Sequence, residues 1–177
     1  MPFLKSRTIL MFSLLVLVCA ACGPRIIKGR PPFISIASLT TNDQQLTAVF
    51  TVSNQNGEPM EIEGIDIRVQ VDDAELTRYN ESFKLTVGAN SAEDVTVEDL
   101  SDEFTQKLLA SLEEGELISL PFDLDGRVNT IADGVLKFHN KGHLYPVPGR
   151  PGQFRSATTH SSRIDGEDPF KEIDSRR

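Results

Sequence analysis

The sequence predicts a mainly β fold, an antiparallel β-sandwich of about seven strands with one short α-helix. Apolar and polar residues alternate in several short segments, and polar corners rich in Asn, Asp and Gly separate those segments. A single segment shows the spacing of an amphipathic helix. The chain has 177 residues, which is enough for one domain built around a single core.

The N-terminal segment has the parts of a bacterial lipoprotein signal. Lys5 and Arg7 precede an apolar run that is shorter than the ~20 residues needed for a membrane-spanning helix. The run ends in two alanines before Cys22, an arrangement that resembles a lipobox. Residues 1–21 are therefore predicted to be a signal peptide that is removed, and Cys22 is predicted to carry the lipid. An ordinary secretory signal with an incidental Cys22 is the alternative.

Composition narrows the class of protein. Cys19 and Cys22 are its two cysteines, so the exported domain is predicted to have no disulfide, thiol nucleophile or zinc thiolate. Without the signal, 16 Lys and Arg remain against 26 Asp and Glu, a formal net charge of −10. That balance disfavours nucleic-acid binding, which uses clustered Lys and Arg.

Gly23, where an Asp would signal inner-membrane retention, favours the outer membrane and a domain facing the periplasm.

Residues 22–32 are predicted to be a tether, because Pro and Gly interrupt regular structure there. If Cys22 is acylated, Arg25, Lys28 and Arg30 would lie beside lipid headgroups and add a weak attraction to anionic lipid. A merely soluble spacer is the alternative interpretation. Phe33 then begins the first predicted strand.

The clearest pair of strands flanks a polar corner between Gln44 and Val71. Apolar residues occupy every second position of both strands, at Leu46, Ala48, Phe50 and Val52 and then at Ile65, Ile67, Val69 and Val71. Asn and Gly tolerate positive φ angles, and Asn side chains bond to nearby backbone groups. Asn54, Asn56 and Gly57 are therefore predicted to be structural residues that turn the chain and keep its amides paired.

This corner and its strands resemble the type 2 late embryogenesis abundant proteins, which carry the water stress and hypersensitive response (WHy) domain. That family has a strand ending in Asn-Pro-Asn, and here the corresponding residues are Asn54, Gln55 and Asn56, without the proline. The resemblance covers roughly Pro31 to Pro148 and is of moderate specificity. It implies non-catalytic protection in water stress by a folded, hydrated domain.

After the central pair, further alternating segments predict strands at 74–79, 83–87, 95–97 and 118–124, and a final strand or strand pair at 135–147. Pro121 cannot donate to a ladder, so its strand is predicted to lie at an edge or to carry a bulge. An immunoglobulin/fibronectin-III-like sandwich over residues 33–148 is the resulting expectation. Residues 149–177 lack periodicity and are predicted to be a disordered tail.

One helix is predicted between the strands. Ser101 is the expected N-cap and Gly115 the stop, with acidic residues in the first turn. Its apolar residues share one face, at Phe104, Leu108, Leu109 and Leu112. Packing on the sandwich is favoured over a membrane surface, since Lys107 is the helix's one basic residue.

Several polar clusters are candidates for chemistry. Asp123 and Asp125 share a strand face, and Asp72, Asp73 and Glu75 cluster near a turn. Either carboxylate cluster could be interpreted as a calcium site or an acid/base pair. A tight hairpin would bring His139 and His143 together, with His160 as a third imidazole for a metal. Neither carboxylate cluster matches an EF-hand or a glycosidase motif, and a solvated polar face is the favoured interpretation. No catalytic, cofactor-binding or metal-binding residue is predicted.

The expected function is therefore protective and non-enzymatic, by a protein held at the cell envelope through Cys22. Its expected partners are the membrane, through the lipid, and client or envelope proteins, with neither nucleic acid nor a small-molecule substrate. An envelope-assembly or scaffold lipoprotein that binds a partner through the sandwich is the alternative. An enzyme whose site matches no motif is the third possibility.

Overall fold

The computed structural model describes residues 28–42, 44–71 and 74–159. The predicted signal peptide, Cys22 and residues 160–177 lie outside them, as do Asp72, Asp73 and His160. The described ranges contain eight strands and one helix, in the order β1 (Phe33–Asn42), β2 (Gln45–Ser53), β3 (Met60–Val71), β4 (Ala74–Val87), β5 (Ala92–Leu100), α1 (Glu103–Glu113), β6 (Leu120–Thr130), β7 (Gly134–Pro146) and β8 (Gln153–Thr159). The prediction of a mainly β fold with one short helix is confirmed.

The eight strands form one antiparallel, nearly closed sheet in the order β4-β3-β6-β7-β8-β1-β2-β5. The fold is thus barrel-like or sandwich-like, with one strand more than the predicted seven. Its weakest junction is β8 with β1, which pair at two positions, Leu39 with Phe154 and Thr40 with Gln153. Side chains reinforce that junction: the hydroxyl of Ser156 in β8 donates to the carbonyl of Ile36 in β1, and the amide of Asn140 in β7 donates to the carbonyl of Ile34 in β1 at 2.7 Å.

The core fills the space between the two halves of the curled sheet, β4-β3-β6-β7 and β8-β1-β2-β5. The alternating residues of the central strand pair point inward as their spacing predicts, and Phe50 is completely buried. The largest fully buried side chains come from both halves and from α1: Phe50, Phe154, Ile34, Leu39, Leu46, Ile62, Ile67, Leu112, Leu124, Leu144, Val52 and Val69. Apolar burial of this extent is the main stabilising contribution to the fold.

Strand directions define two ends of the molecule. β1 starts where β2 stops, with Phe33 paired to Ser53, so the chain enters beside the polar corner. We call this the tether end, and it comprises residues 28–32, 54–59, 88–91 and 131–133. The opposite, distal end comprises residues 101–119 and 147–152, which include α1.

The helix begins one residue later than predicted. Asp102 is the N-cap, and its side chain accepts from the backbone N–H of Thr105 at 2.7 Å. Ser101 instead donates its hydroxyl to the carbonyl of Gln44. Leu109 and Leu112 enter the core, whereas Phe104 is 51% exposed, so the apolar face is narrower than predicted.

The predicted break between strands 74–79 and 83–87 is absent, because β4 runs unbroken through 74–87. Of the final strand or strand pair, the structure has a single strand, since β7 runs unbroken through 134–146 without the hairpin considered between His139 and His143. Gly142, between these histidines, lies opposite Phe122 in β6. A Cβ on Gly142 would lie 2.6 Å from the Phe122 ring, so the glycine permits close packing and does not turn the chain.

The domain also extends past its predicted boundary. The prediction of a disordered tail from residue 149 is wrong for Gln153–Thr159, which form β8 and pair with β7.

The edge position predicted from Pro121 is wrong as well, because β6 lies between β3 and β7. Pro121 is tolerated because the ladder with β3 ends at Asp123, which leaves β7 as its paired neighbour.

Candidate functional site

The polar corner joins the two places at the tether end where the chain crosses between the halves of the sheet, from β2 to β3 and from β4 to β5. Asn54 is buried, and its side-chain amide donates to the carbonyls of Glu58, Gly88 and Val87 at 2.8, 3.0 and 3.2 Å. Its side-chain oxygen accepts from the backbone N–H of Asn56 at 2.9 Å. One side chain thereby satisfies backbone groups of the β2–β3 corner and the β4–β5 turn, where an unpaired buried polar group is costly.

The side chain of Asn56 makes a second connection, to residues 28–32, through which the chain enters the domain. Its side-chain oxygen accepts from the backbone N–H of Arg30, and its amide donates to the carbonyl of Arg30, both at 3.0 Å. The side chain thus pairs with Arg30 as a strand residue would. The positive φ angles recorded near this corner are at Gly29 and Asn90, and not at Asn54, Asn56 or Gly57, so side-chain bonding rather than left-handed backbone shapes it.

A small open pocket lies beside this corner at the tether end. Lys28, Asn56, Glu58, Thr130 and Asp133 are among the residues that line it, and its volume is about 170 Å³. Lys28 and Glu58 form an exposed ion pair at 2.7 Å. Since small-molecule sites usually enclose about 300–1,000 Å³, this pocket is too small and open for a typical organic ligand.

The outward face of β4, β3, β6 and β7 carries charged residues that pair across the strands. We call this set the charged face, and it comprises Asp66, Arg68, Arg78, Asp123, Asp125, Arg127, His139 and Lys141. Arg68 binds both carboxylate oxygens of Asp125, at 3.2 and 3.0 Å. This hydrogen bonding and the charge of Asp125 raise the pKa of Arg68.

The other carboxylates of the charged face are paired in the same way. Asp66 lies between two guanidinium groups, 2.7 Å from that of Arg127 and 3.8 Å from that of Arg78. Asp123 lies 2.7 Å from the ammonium of Lys141 and 3.6 Å from the imidazole of His139. Each of these carboxylates therefore holds at least one basic side chain.

The predicted metal candidates do not converge. His139 and His143 lie four residues apart on the outward face of one straight strand, a separation of about 13 Å. That distance rules out the shared metal site considered from the sequence. In the described ranges, no group of three or more His, Cys, Asp or Glu residues has an arrangement that could hold a metal ion. His143 instead lies beside Tyr145, with ring centroids 6.4 Å apart.

Sequence patterns missed how the sheet closes. The outermost strands β4 and β5 meet through the hydroxyl of Thr77, which is buried and donates to the carboxylate of Asp99 at 2.8 Å. Between this contact and the turn at residues 88–91, each strand has one edge that pairs with no other strand of the described ranges. The sequence gives little indication of this arrangement, because Thr77 and Asp99 do not differ in pattern from the other polar residues of their strands.

Comparison with known proteins gives likeness of shape alone. No protein-family model and no curated protein matches the chain. A crystal structure of a protein from Archaeoglobus fulgidus aligns at 14% identity and a TM-score of 0.40, over 65% of this chain and 96% of that one. The X-ray structure of Northeast Structural Genomics Consortium target SoR45 aligns at 8% identity and a TM-score of 0.42, over 67% and 88% of the two chains.

Among the described residues, none belongs to a helix with the length and apolar character that crossing a membrane requires.

Proposed function

We propose that this protein is a lipid-anchored envelope protein that protects membranes or neighbouring proteins during water stress, without catalysis. In this proposal Cys22 carries the lipid and the domain faces the periplasm from the outer membrane. The domain is a WHy-type variant of the immunoglobulin/fibronectin-III-like sandwich. Asn54 and Asn56 are the structural residues of its corner.

The charged face is the observation that supports this proposal most strongly. The carboxylates that would have been candidates for catalysis, Asp123 and Asp125, are bound to Lys141 and Arg68. Paired charges on an open strand face remain in contact with water. A hydrated surface of this kind interacts weakly with many neighbours through groups spread over the whole face.

A second candidate is a scaffold that holds a partner protein in the envelope. The unpaired edges of β4 and β5 favour it, because a free strand edge offers a row of backbone donors and acceptors to another chain. This candidate differs from protection in requiring one particular surface.

Survival of a deletion strain distinguishes the two. We expect the strain to lose viability after drying and to grow normally in detergent. Complementation with the native gene restores survival, and complementation with Cys22→Ala does not if the protein must be held at the envelope. Detergent sensitivity without drying sensitivity would contradict protection and favour the scaffold.

A further inference from the structure

The sheet is left open along one line, between its two outermost strands. In the described part of the chain β4 pairs with β3 alone and β5 pairs with β2 alone. The two strands are held together at the tether end by the turn at residues 88–91 and at the distal end by the Thr77–Asp99 hydrogen bond. Between these points neither strand has a ladder partner on its outer edge.

Apolar side chains line this opening, which we call the edge groove. Tyr79, Glu81, Phe83 and Leu85 occupy alternate positions of β4. The three apolar side chains are half-buried and pack against the core, and Glu81 is exposed. The rings of Tyr79 and Phe83 lie with centroids 6.4 Å apart. Burial and the neighbouring Glu81 raise the pKa of Tyr79. Since core-facing side chains of closed sheets are normally buried, their exposure here marks where the closure is incomplete.

The far side of the edge groove is strongly acidic. β5 contains four carboxylate residues, Glu93, Asp94, Glu98 and Asp99, and no basic residue. Asp94 and Glu98 lie on the outward face of β5, whose other face buries Val95 and Val97, and both are exposed. A segment that enters the groove would therefore meet apolar side chains on one strand and negative charge on the other.

We propose that the edge groove binds an extended basic segment of a partner protein, which adds as a strand to the free edge of β4. The segment alternates apolar residues, which pack against Tyr79, Phe83 and Leu85, with Lys or Arg residues that face the acidic side. Backbone pairing supplies affinity in this mode, and the alternate side chains supply selectivity. The inference rests on the scaffold candidate and specifies its surface and the chemistry of its partner.

The test uses a dye-labelled peptide of eight residues that alternates lysine with valine or isoleucine. Fluorescence anisotropy measures its binding to the chain from Gly23 to Arg177. One control peptide has the same composition with the lysines in a single block, and another is methylated at every backbone nitrogen. The protein variant Phe83→Ser/Leu85→Ser removes the groove lining, and Asn80→Ser/Thr86→Ser is the matched outward-facing control on β4.

We expect the alternating peptide to bind at least about tenfold more tightly than either control peptide. Phe83→Ser/Leu85→Ser should weaken its binding by a similar factor, with Asn80→Ser/Thr86→Ser unchanged. If the first variant fails to fold, amide chemical shifts of the native protein provide the test, because the peptide should move those of residues 79–86. Equal binding of the block or methylated peptide, shifts that avoid β4, or no binding would each overturn the proposal. Drying protection needs no partner segment, so failure here leaves that function standing.

Discussion

The side-chain amide of Asn54 donates to the backbone carbonyl of Val87, the last residue of β4, at 3.2 Å. The two residues are far apart in sequence and belong to opposite halves of the sheet. The contact fixes the end of β4 against the β2–β3 corner. It thus connects the two crossings of the chain at the tether end.

Replacing Asn54 should destabilise the domain strongly. Asn54→Ala removes the donor for three carbonyls and the acceptor for the N–H of Asn56. We expect a loss of about 2–4 kcal/mol of unfolding free energy in urea melts, because buried polar groups lose their partners. Gln55→Ala, at the exposed position between the two asparagines, is the control and should change stability by under about 0.5 kcal/mol. Equal urea midpoints for the two variants would contradict the structural role of Asn54.

The strand pattern was readable from sequence wherever one face of a strand enters the core. The apolar alternation in β2, β3 and β6 corresponds to buried side chains such as Phe50, Ile67 and Leu124. Burial on one face imposes the period of two on the sequence, so the pattern carries the structural information. Asp123 and Asp125 were likewise readable as residues of one strand face, although their pairing with Lys141 and Arg68 depends on register between distant strands.

The role of a glycine and the presence of a short strand could not be predicted from the sequence in the same way. Gly126 lies opposite Phe138, and a Cβ there would lie 1.9 Å from the carbonyl of Asp66, so packing across strands requires the glycine. A single sequence does not distinguish such a glycine from one that turns the chain. β8 was missed because Phe154 is its one large apolar side chain in the core, and one residue makes no period.

Removal of β8 should unfold the domain. Phe154 is 1% exposed, and β8 joins β7 to β1 in the sheet. A chain ending at Pro148 therefore loses a buried aromatic side chain and a central strand, and we expect it to lack cooperative unfolding by circular dichroism. A chain ending at Thr159 keeps every described strand and should melt cooperatively. A cooperative transition in the shorter chain would show that β8 is dispensable.

The N-cap of α1 should make stability depend on acid pH. The hydrogen bond from the N–H of Thr105 lowers the pKa of Asp102, so its contribution is present above the ordinary carboxyl pKa. That contribution is lost as pH falls through the lowered value. Asp102→Asn should therefore be less stable than the native protein near neutral pH, and the difference should shrink in acid. Urea melts at several pH values check this, and a pH-independent difference would contradict it.

Acylation of Cys22 should determine where the protein is found in the cell. Cys22→Ala should abolish labelling by radioactive palmitate and move the protein from the membrane fraction to the soluble one. Cys19→Ala is the matched control and should leave both properties unchanged. Unchanged membrane partition of Cys22→Ala would contradict the lipid anchor.

Protection that comes from a hydrated folded surface should depend on the fold and not on any one polar group. Phe50 is fully buried, and its truncation to Ala typically costs about 3–5 kcal/mol. Phe50→Ala should therefore unfold much of the population. Asp123→Asn, Asp125→Asn, His139→Ala and His143→Ala alter exposed or half-buried groups and should leave the fold intact.

The most direct measurement is the activity that a desiccation-labile enzyme retains after drying with the chain from Gly23 to Arg177. We predict that the native chain and the four surface variants preserve the enzyme to within about twofold of one another, since the effect is spread over many groups. Phe50→Ala should lose most of that protection. Loss of protection in a surface variant that stays folded by circular dichroism would contradict the account, because it would locate the activity in a discrete site.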